Sequence, residues 1–308
     1  MGSAARLASF AGLVALVLVS AAYAGSRIDP SVDAEPGRSN EMKEMTRDSN
    51  PGEAASPGHV ENTILPGLSV ADRGYDLRVD RPSLNAGRPA RLVFSIETGG
   101  SNVTEFDLTH ERRMHLILVR RDFQGFQHLH PNQKANGSWS VTSAALAPGV
   151  YRMFADFSVG GESLTLATDL FVEGEFVPKP LGPVSRVADA GDGYEVESES
   201  AVAAGGATVP AEFTVRRNGK PVDDIEPYLG ADGHLVALRE GDQAFLHTHP
   251  EGAPGGSGPI RFQVEYPTAG RYRLYLQFRH RGSVHTAEFT QIAGEAEGGP
   301  EVHEVGDH

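Results

Sequence analysis

Apolar residues recur at every second position in several short segments of the chain. This alternation runs through residues 90–96, 114–120, 151–157 and 272–278, which are rich in aromatic and β-branched side chains. A period of two places alternate side chains on one face of a β-strand. Glycine, proline, asparagine and aspartate separate the segments, and no segment has the period of an amphipathic helix. The pattern predicts antiparallel β-sandwiches of about seven strands each.

The second half of the chain repeats the first. Gly74-Tyr75 recurs as Gly193-Tyr194, and the same offset of 119 residues relates His115 to His234. A constant offset over this distance leaves no room for insertions between equivalent strands, so one fold is used twice. We therefore predict an all-β protein with two tandem antiparallel β-sandwiches, immunoglobulin-like or cupredoxin-like.

The N-terminus has the three-part layout of a secretory signal peptide. Arg6 precedes an apolar run over residues 7–19, and the small-residue triplet Ala22-Tyr23-Ala24 follows. We therefore expect a secreted or periplasmic protein with no membrane span after cleavage. The predicted organisation is a signal peptide at 1–24, a disordered spacer at 25–66, sandwich repeat 1 at 67–175, a linker at 176–190, sandwich repeat 2 at 191–293 and an acidic disordered tail at 294–308.

Composition narrows the chemistry that the protein can perform. The formal net charge of -14, with 27 basic and 41 acidic residues, repels phosphate backbones, so we expect no nucleic-acid partner. The chain has no cysteine, which excludes disulfides and thiolate metal sites. No motif of a nucleophile or a phosphate-binding loop is present, and we expect a protein that is not an enzyme. A cation is the ligand that the charge favours.

Histidines form two equivalent sets, one in each repeat. A two-residue hairpin turn at Gly241-Asp242 would place His234 opposite His249 and would put His247 on the same face, because directly opposed residues share a face of the sheet. The same register places His115 opposite His130 with His128 nearby. Three imidazoles at these spacings are within reach of one metal ion, and nitrogen ligands suit copper or zinc.

Repeat 2 carries a further histidine that strand alternation turns toward its set. This residue is His285, and because repeat 1 has leucine or threonine in the equivalent region, the second site is expected to be the stronger one. The candidate metal ligands are His234, His247, His249, His285, His115, His128 and His130. Two alternatives remain: the histidines are structural and hydrogen-bonded, or they line a surface for an organic ligand or a partner protein of the cell envelope.

Two stretches of the chain resemble a known family. They are Met114-His115-Leu116 through His128-Leu129-His130-Pro131 with the following strand at 149–157, and residues 228–250 of the second half. The sequence is similar over residues 68–293 to a family of uncharacterised secreted bacterial proteins, sometimes labelled as heavy-metal-associated. The resemblance implies an exported bacterial protein and carries no established activity or ligand set.

Overall fold

The computed structural model describes residues 65–199, 202–256 and 258–294, and this part of the chain is built from β-strands. The predicted leader, most of the predicted spacer and nearly all of the predicted tail lie outside the described residues. The strands of repeat 1 are β1 (Ala71–Asp72), β2 (Tyr75–Val79), β3 (Ser83–Leu84), β4 (Pro89–Thr98), β5 (Ser101–Asn102), β6 (His115–Arg120), β7 (Gln127–Leu129), β8 (Asn132–Gln133), β9 (Trp139–Ala145), β10 (Gly149–Val159) and β11 (Glu162–Val172).

Repeat 2 has the same succession of strands. They are β12 (Val187–Gly191), β13 (Tyr194–Ser198), β14 (Val202–Ala204), β15 (Ala207–Arg217), β16 (Lys220–Pro221), β17 (His234–Arg239), β18 (Phe245–Leu246), β19 (Thr248–Glu251), β20 (Ile260–Tyr266), β21 (Gly270–His280) and β22 (Ser283–Gly294). The first of these begins inside the range predicted as a linker, 176–190. Within the described part of the chain, no helix is long and apolar enough to cross a membrane.

The two repeats have one topology. Each contains a six-stranded sheet, ordered β1-β2-β4-β9-β8 in repeat 1 and β12-β13-β15-β20-β19 in repeat 2, with β5 or β16 added beside the third strand. The other sheet is five-stranded, ordered β3-β11-β10-β6-β7 or β14-β22-β21-β17-β18. The predicted all-β fold of two tandem sandwiches is confirmed. One departure from a purely antiparallel arrangement occurs in each repeat, where β3 and β14 pair in parallel with β11 and β22.

Alternation along the strands builds the two sandwich cores. In β4, Leu92, Phe94 and Ile96 are buried on one face, and they pack against residues of the five-stranded sheet such as Leu116 and Leu118. Repeat 2 has a separate core of the same kind. Burial of each large apolar side chain contributes about 1.5–3 kcal/mol, so the alternating pattern is what closes each sandwich.

Strands β6 and β17 are apolar on both faces, and this pattern explains how the repeats pack. Leu116 and Leu118 point into the first sandwich, so Ile117 and Val119 point outward. Both repeats belong to one compact unit of the chain. The outward residues form a third core between the repeats, together with Phe123, Phe154, Ala167, Val236, Leu238, Phe245 and Tyr275. The two five-stranded sheets therefore meet through their outer faces.

Hydrogen bonds fix this interface at several points. The Tyr275 hydroxyl donates to the Phe123 carbonyl at 2.7 Å, and the Gln243 side-chain amide donates to the Arg120 carbonyl at 3.0 Å. The Tyr275 ring also stacks on Phe126 with centroids 4.0 Å apart. Arg271 binds the connecting segment by donating to the carbonyls of Leu181 and Gly182. Specific polar contacts thus hold one arrangement of the two outer faces.

Candidate metal centre

The hairpins that carry the histidines have the predicted register. In repeat 1, β6 pairs with β7 so that Ile117 lies opposite His128. In repeat 2, β17 pairs with β18 so that Leu238 lies opposite Phe245. The predicted two-residue turn at Gly241-Asp242 is wrong, because the Arg239 amide donates to the Ala244 carbonyl at 3.0 Å and residues 240–243 form a wider turn. The wider turn keeps the predicted register.

The predicted set of repeat 1 converges, and a histidine of repeat 2 joins it. The ring centroids of His115, His128 and His130 lie 4.7–5.3 Å from one another. The ring of His234 lies 4.4 Å from His128 and 5.5 Å from His115. His115 and His234 begin β6 and β17 on the faces that carry Ile117 and Val236, so both reach the interface between the repeats. We call these four residues the inter-repeat histidine cluster.

The set expected in repeat 2 does not assemble. After Leu246 the chain leaves the five-stranded sheet, and β19 pairs with β20 of the other sheet, which places His249 opposite Gln263. The side chains of His247 and His249 are exposed. The Thr248 hydroxyl donates to the Leu235 carbonyl at 2.7 Å. It thus occupies the carbonyl group beside which the paired strand would have continued. His234 is therefore separated from its two predicted partners.

His285 lies outside the inter-repeat histidine cluster. It is buried on β22 between aromatic rings, with its centroid 4.1 Å from Tyr194 and 5.3 Å from Phe278. The neighbouring His280 makes hydrogen bonds with the Tyr194 hydroxyl at 2.6 Å and with Asp224 at 2.9 Å. These contacts place His280 and His285 in a separate buried polar cluster within repeat 2.

Three nitrogens of the cluster lie close to one another. One nitrogen each from His115, His128 and His234 lies within 4.8 Å of the other two. His115 Nδ1 and His128 Nε2 are 3.0 Å apart. Two nitrogens bound to tetrahedral zinc are separated by about 3.4 Å, because each bond is about 2.0–2.1 Å long. Small side-chain movements therefore bring these nitrogens to ligand spacing.

Hydrogen bonds to residues outside the cluster determine which ring nitrogens of His115 and His128 are free to bind a metal ion. His115 Nε2 lies 3.0 Å from the Thr109 carbonyl, so this nitrogen carries the proton and donates it. His128 Nδ1 lies 2.8 Å from Gln277 Oε1, while the Gln277 amide nitrogen donates to Thr286 Oγ1. In neutral rings these bonds leave lone pairs on His115 Nδ1 and His128 Nε2, which face each other. Carbonyl partners of this kind orient metal-binding histidines.

Burial keeps the cluster neutral. Burial, together with smaller contributions from the neighbouring His115 and His130, lowers the pKa of His128 to about 3. Burial also lowers the pKa of His130 to about 4, with contributions from His115 and Arg112. The pKa of His234 is well below 6.5 for the same main reason. Neutral imidazole is the form that binds a metal ion.

Sequence patterns left three neighbours of the cluster unidentified. Asp156 lies opposite His115 in the sheet, and Gln277 lies opposite His234 at the equivalent position of repeat 2. Burial raises the pKa of the Asp156 carboxyl group. His110, in the loop before β6, has its ring centroid 6.1 Å from His115. The alternation of residues along β10 and β21 could have revealed Asp156 and Gln277. His110 lies in a loop, where no periodic pattern could reveal it.

Comparison with solved structures gives distant similarities. A chimeric titin Z1Z2-Z1Z2 tandem is 14% identical, with 71% of this chain and 96% of that chain covered and a TM-score of 0.19. The Escherichia coli adhesin FdeC is 14% identical, with 73% and 66% covered and a TM-score of 0.26. Salmonella alpha-2-macroglobulin reacted with methylamine is 14% identical, with 75% and 15% covered and a TM-score of 0.26. Similarities this weak carry no functional information.

A family model provides the informative comparison, whereas no curated protein matches the chain. The model is described as a domain of unknown function, DUF8832, and it matches residues 69–174 and again residues 187–295. The description assigns neither secretion nor a heavy metal, so these two implications of the resemblance stay predictions. The double match agrees with the duplicated topology. The chain therefore belongs to the DUF8832 family and carries its domain twice.

Proposed function

We propose that this is an exported, non-enzymatic protein that binds or buffers copper or zinc between its two repeats. His115, His128 and His234 are the proposed ligands. The observation that carries the proposal is the 3.0 Å separation of His115 Nδ1 and His128 Nε2, both of which carry lone pairs when the Gln277 oxygen accepts a hydrogen bond from His128 Nδ1. Export is part of the proposal because of the predicted leader at 1–24.

The opposed lone pairs repel each other unless a proton or a cation lies between them. Protonation is disfavoured because burial lowers the pKa of both rings. A metal ion would accept both lone pairs and would leave the hydrogen bonds to Thr109 and Gln277 intact. The site thus has neutral ligands with oriented outer partners, as metal-binding histidines usually have.

The other two rings define how the coordination would be completed. His234 lies nearly parallel to His115, at 8°, so its ring must turn about the Cβ–Cγ bond before its nitrogen can point at an ion held by His115 and His128. His130 stands at 69° to His128, and its buried Nε2 has no hydrogen-bond partner among the described residues. An unpartnered buried nitrogen is unfavourable, and ligation would satisfy it.

A structural role for the histidines is the second candidate. His128 Nε2 can donate to His115 Nδ1 if the Gln277 amide is reversed, because its NH2 group then donates to His128 Nδ1 and Thr286 donates to the amide oxygen. All these groups are then satisfied without a metal ion. The protein would in that case be a tandem sandwich that binds a partner protein of the cell envelope.

The experiment is metal titration of untagged protein of residues 25–308 by isothermal calorimetry, with matched double variants. One variant, His128→Ala/His234→Ala, removes two proposed ligands. The control, His247→Ala/His249→Ala, removes two exposed histidines of repeat 2. We expect one equivalent of Zn²⁺ or Cu²⁺ with submicromolar affinity in the native and control proteins and a loss of at least about 100-fold in the first variant.

Circular dichroism and thermal melts in EDTA establish that the variants are folded. If His128→Ala/His234→Ala unfolds, the conservative variant His128→Gln replaces it, because glutamine keeps a polar side chain at the interface. Equal affinity in the native protein and the folded ligand variant would reject the metal centre. It would leave the structural role as the function of the cluster.

A further inference from the structure

We infer that Asp156 makes the proposed metal centre prefer divalent over monovalent cations by placing a carboxylate beside the inter-repeat histidine cluster. This inference rests on the proposed function and deepens it, since it specifies the charge of the ion. Asp156 is not assigned as a direct ligand. Its contribution is the electrostatic interaction of a negative charge with the bound cation.

The sheet register places Asp156 beside the cluster. It lies directly opposite His115 in the β10–β6 ladder, so both side chains are on the interface face. Both residues also line one small cavity, together with Thr109, Arg112 and others. Thr165 Oγ1 donates to Asp156 Oδ1 at 2.8 Å and holds the carboxylate in place. The carboxyl group is therefore held beside the cluster, and a cation bound there would favour its ionised form against the effect of burial.

Repeat 2 provides an internal comparison for this position. Gln277 lies opposite His234 as Asp156 lies opposite His115, and its partner Thr286 corresponds to Thr165. The fold thus accepts a neutral amide at this position with the same hydrogen-bonding neighbour. Burying a carboxyl group that can ionise is less favourable than burying an amide, so packing alone does not explain the aspartate of repeat 1.

The charges around Asp156 are mostly histidines and surface arginines. The titratable groups that interact with it most strongly are His115, His247 and His110. Arg112 and Arg113 lie at the same cavity and are exposed, so water screens their charges. A cation bound among the neutral rings would be the closest unscreened positive charge. Its attraction to the carboxylate scales with its own charge.

Charge scaling gives a test that a structural role for Asp156 cannot imitate. Replacing Asp156 by asparagine keeps its size and removes one negative charge. The loss of binding free energy is proportional to the cation charge, so the logarithm of the affinity loss for a divalent ion is twice that for a monovalent ion. We expect Asp156→Asn to weaken Ag⁺ by about 10-fold and Zn²⁺ by about 100-fold.

The measurement is calorimetric titration of Zn²⁺ and of Ag⁺ at pH 7.5 in chloride-free buffer. The native protein, Asp156→Asn and the control Thr165→Val are compared. The control removes the hydrogen bond to Asp156 and keeps its charge, so it should change both affinities by the same small factor. Melting temperatures in EDTA show whether each variant is folded.

Each outcome has a defined meaning. The inference is supported if Asp156→Asn lowers the logarithm of the Zn²⁺ affinity by twice as much as that of the Ag⁺ affinity. Equal losses for the two ions, or no loss for either, overturn it and leave the metal centre in place if the native protein binds zinc. A native protein that binds neither ion rejects the proposed function, and the inference falls with it.

Discussion

The two histidine hairpins have one register and closely related sequences, yet they present their histidines differently. In repeat 1, His128 is still paired within the five-stranded sheet, opposite Ile117 on the interface face. In repeat 2, the equivalent pairing ends at Leu246, and His247 stands exposed where the chain crosses to the other sheet. One hairpin therefore supplies three histidines to the inter-repeat cluster, whereas the other supplies His234 alone.

The residue between the two histidines distinguishes the hairpins. Leu129 packs against the core of the first sandwich and pairs with Leu116 in the ladder. Its equivalent, Thr248, has a hydroxyl that donates to the carbonyl of Leu235. In repeat 2 a side chain thus bonds to the carbonyl at the position where repeat 1 continues its strand pairing, and the pairing ends earlier. The comparison shows that a duplicated histidine pattern does not guarantee a duplicated histidine cluster.

The pH dependence of stability should distinguish the histidines of the two hairpins. An unfolded chain binds protons to histidine with a pKa near 6.5, whereas the folded pKa of His128 is about 3. Below pH 6.5 the unfolded state therefore binds more protons, and stability falls as pH falls toward the folded value. Between pH 7.5 and 5.0 each strongly shifted histidine removes about 2 kcal/mol from the free energy of unfolding.

Urea unfolding in EDTA at these two pH values measures this effect. The variant His128→Gln should lose about 2 kcal/mol less than the native protein over the interval. His247→Gln removes an exposed side chain, and we expect it to match the native protein. An unchanged pH dependence in His128→Gln would contradict the burial of a neutral ring at this position.

Single alanine variants of equivalent histidines should differ in metal affinity. His128→Ala removes a proposed ligand and should weaken Zn²⁺ binding by about 100-fold, equivalent to about 2.7 kcal/mol. His247→Ala lies outside the cluster and should leave the affinity within about threefold of native. Competition with a chromogenic chelator measures both constants. Similar losses in the two variants would show that the repeats contribute equally, against the geometry described above.

Removal of the amide that orients His128 should have a smaller effect on metal binding. Gln277→Leu deletes the hydrogen-bond acceptor for His128 Nδ1. It should weaken Zn²⁺ binding by about 10-fold, which is the lower end of the range of affinity losses when a hydrogen-bond partner of a metal ligand is removed. Thr286→Val keeps the Gln277 oxygen and should stay within about threefold. Zinc titrations of both variants provide the test, and a loss in Thr286→Val as large as in Gln277→Leu would contradict the assigned role of the oxygen.

The threonine that ends the second hairpin ladder should have the smallest effect. Thr248→Val removes its hydrogen bond to Leu235 and should lower the free energy of unfolding by about 1 kcal/mol, a typical value for one hydrogen bond. Urea unfolding at pH 7.5 measures the change. Leu129→Ser serves as the comparison in repeat 1, where loss of an apolar side chain that packs on the core should destabilise the protein more. A stable or stabilised Thr248→Val protein would remove the explanation for the early end of the ladder.

Local patterns were sufficient to predict the duplicated sandwiches and the hairpin registers. Alternation in β4 and the constant offset between the repeats required no knowledge of tertiary contacts, because strand faces and repeats are properties of the chain. The wider turn at 240–243 left the register unchanged. The early sheet crossing at Thr248 was not predictable from alternation, since a side chain competed there with the ladder for one carbonyl.

The sequence by itself determined that His115, His128 and His130 share one face of the first five-stranded sheet. Only the tertiary structure decided that His234 joins them and that His247 and His249 do not. Strand pairing inside a repeat is set by nearby residues and a two-residue period. The packing of the two five-stranded sheets through their outer faces depends on apolar side chains such as Ile117 and Val236, which are remote from each other in the chain. The candidate metal centre lies where these faces meet, because hydrophobic packing between the repeats brings its ligands together.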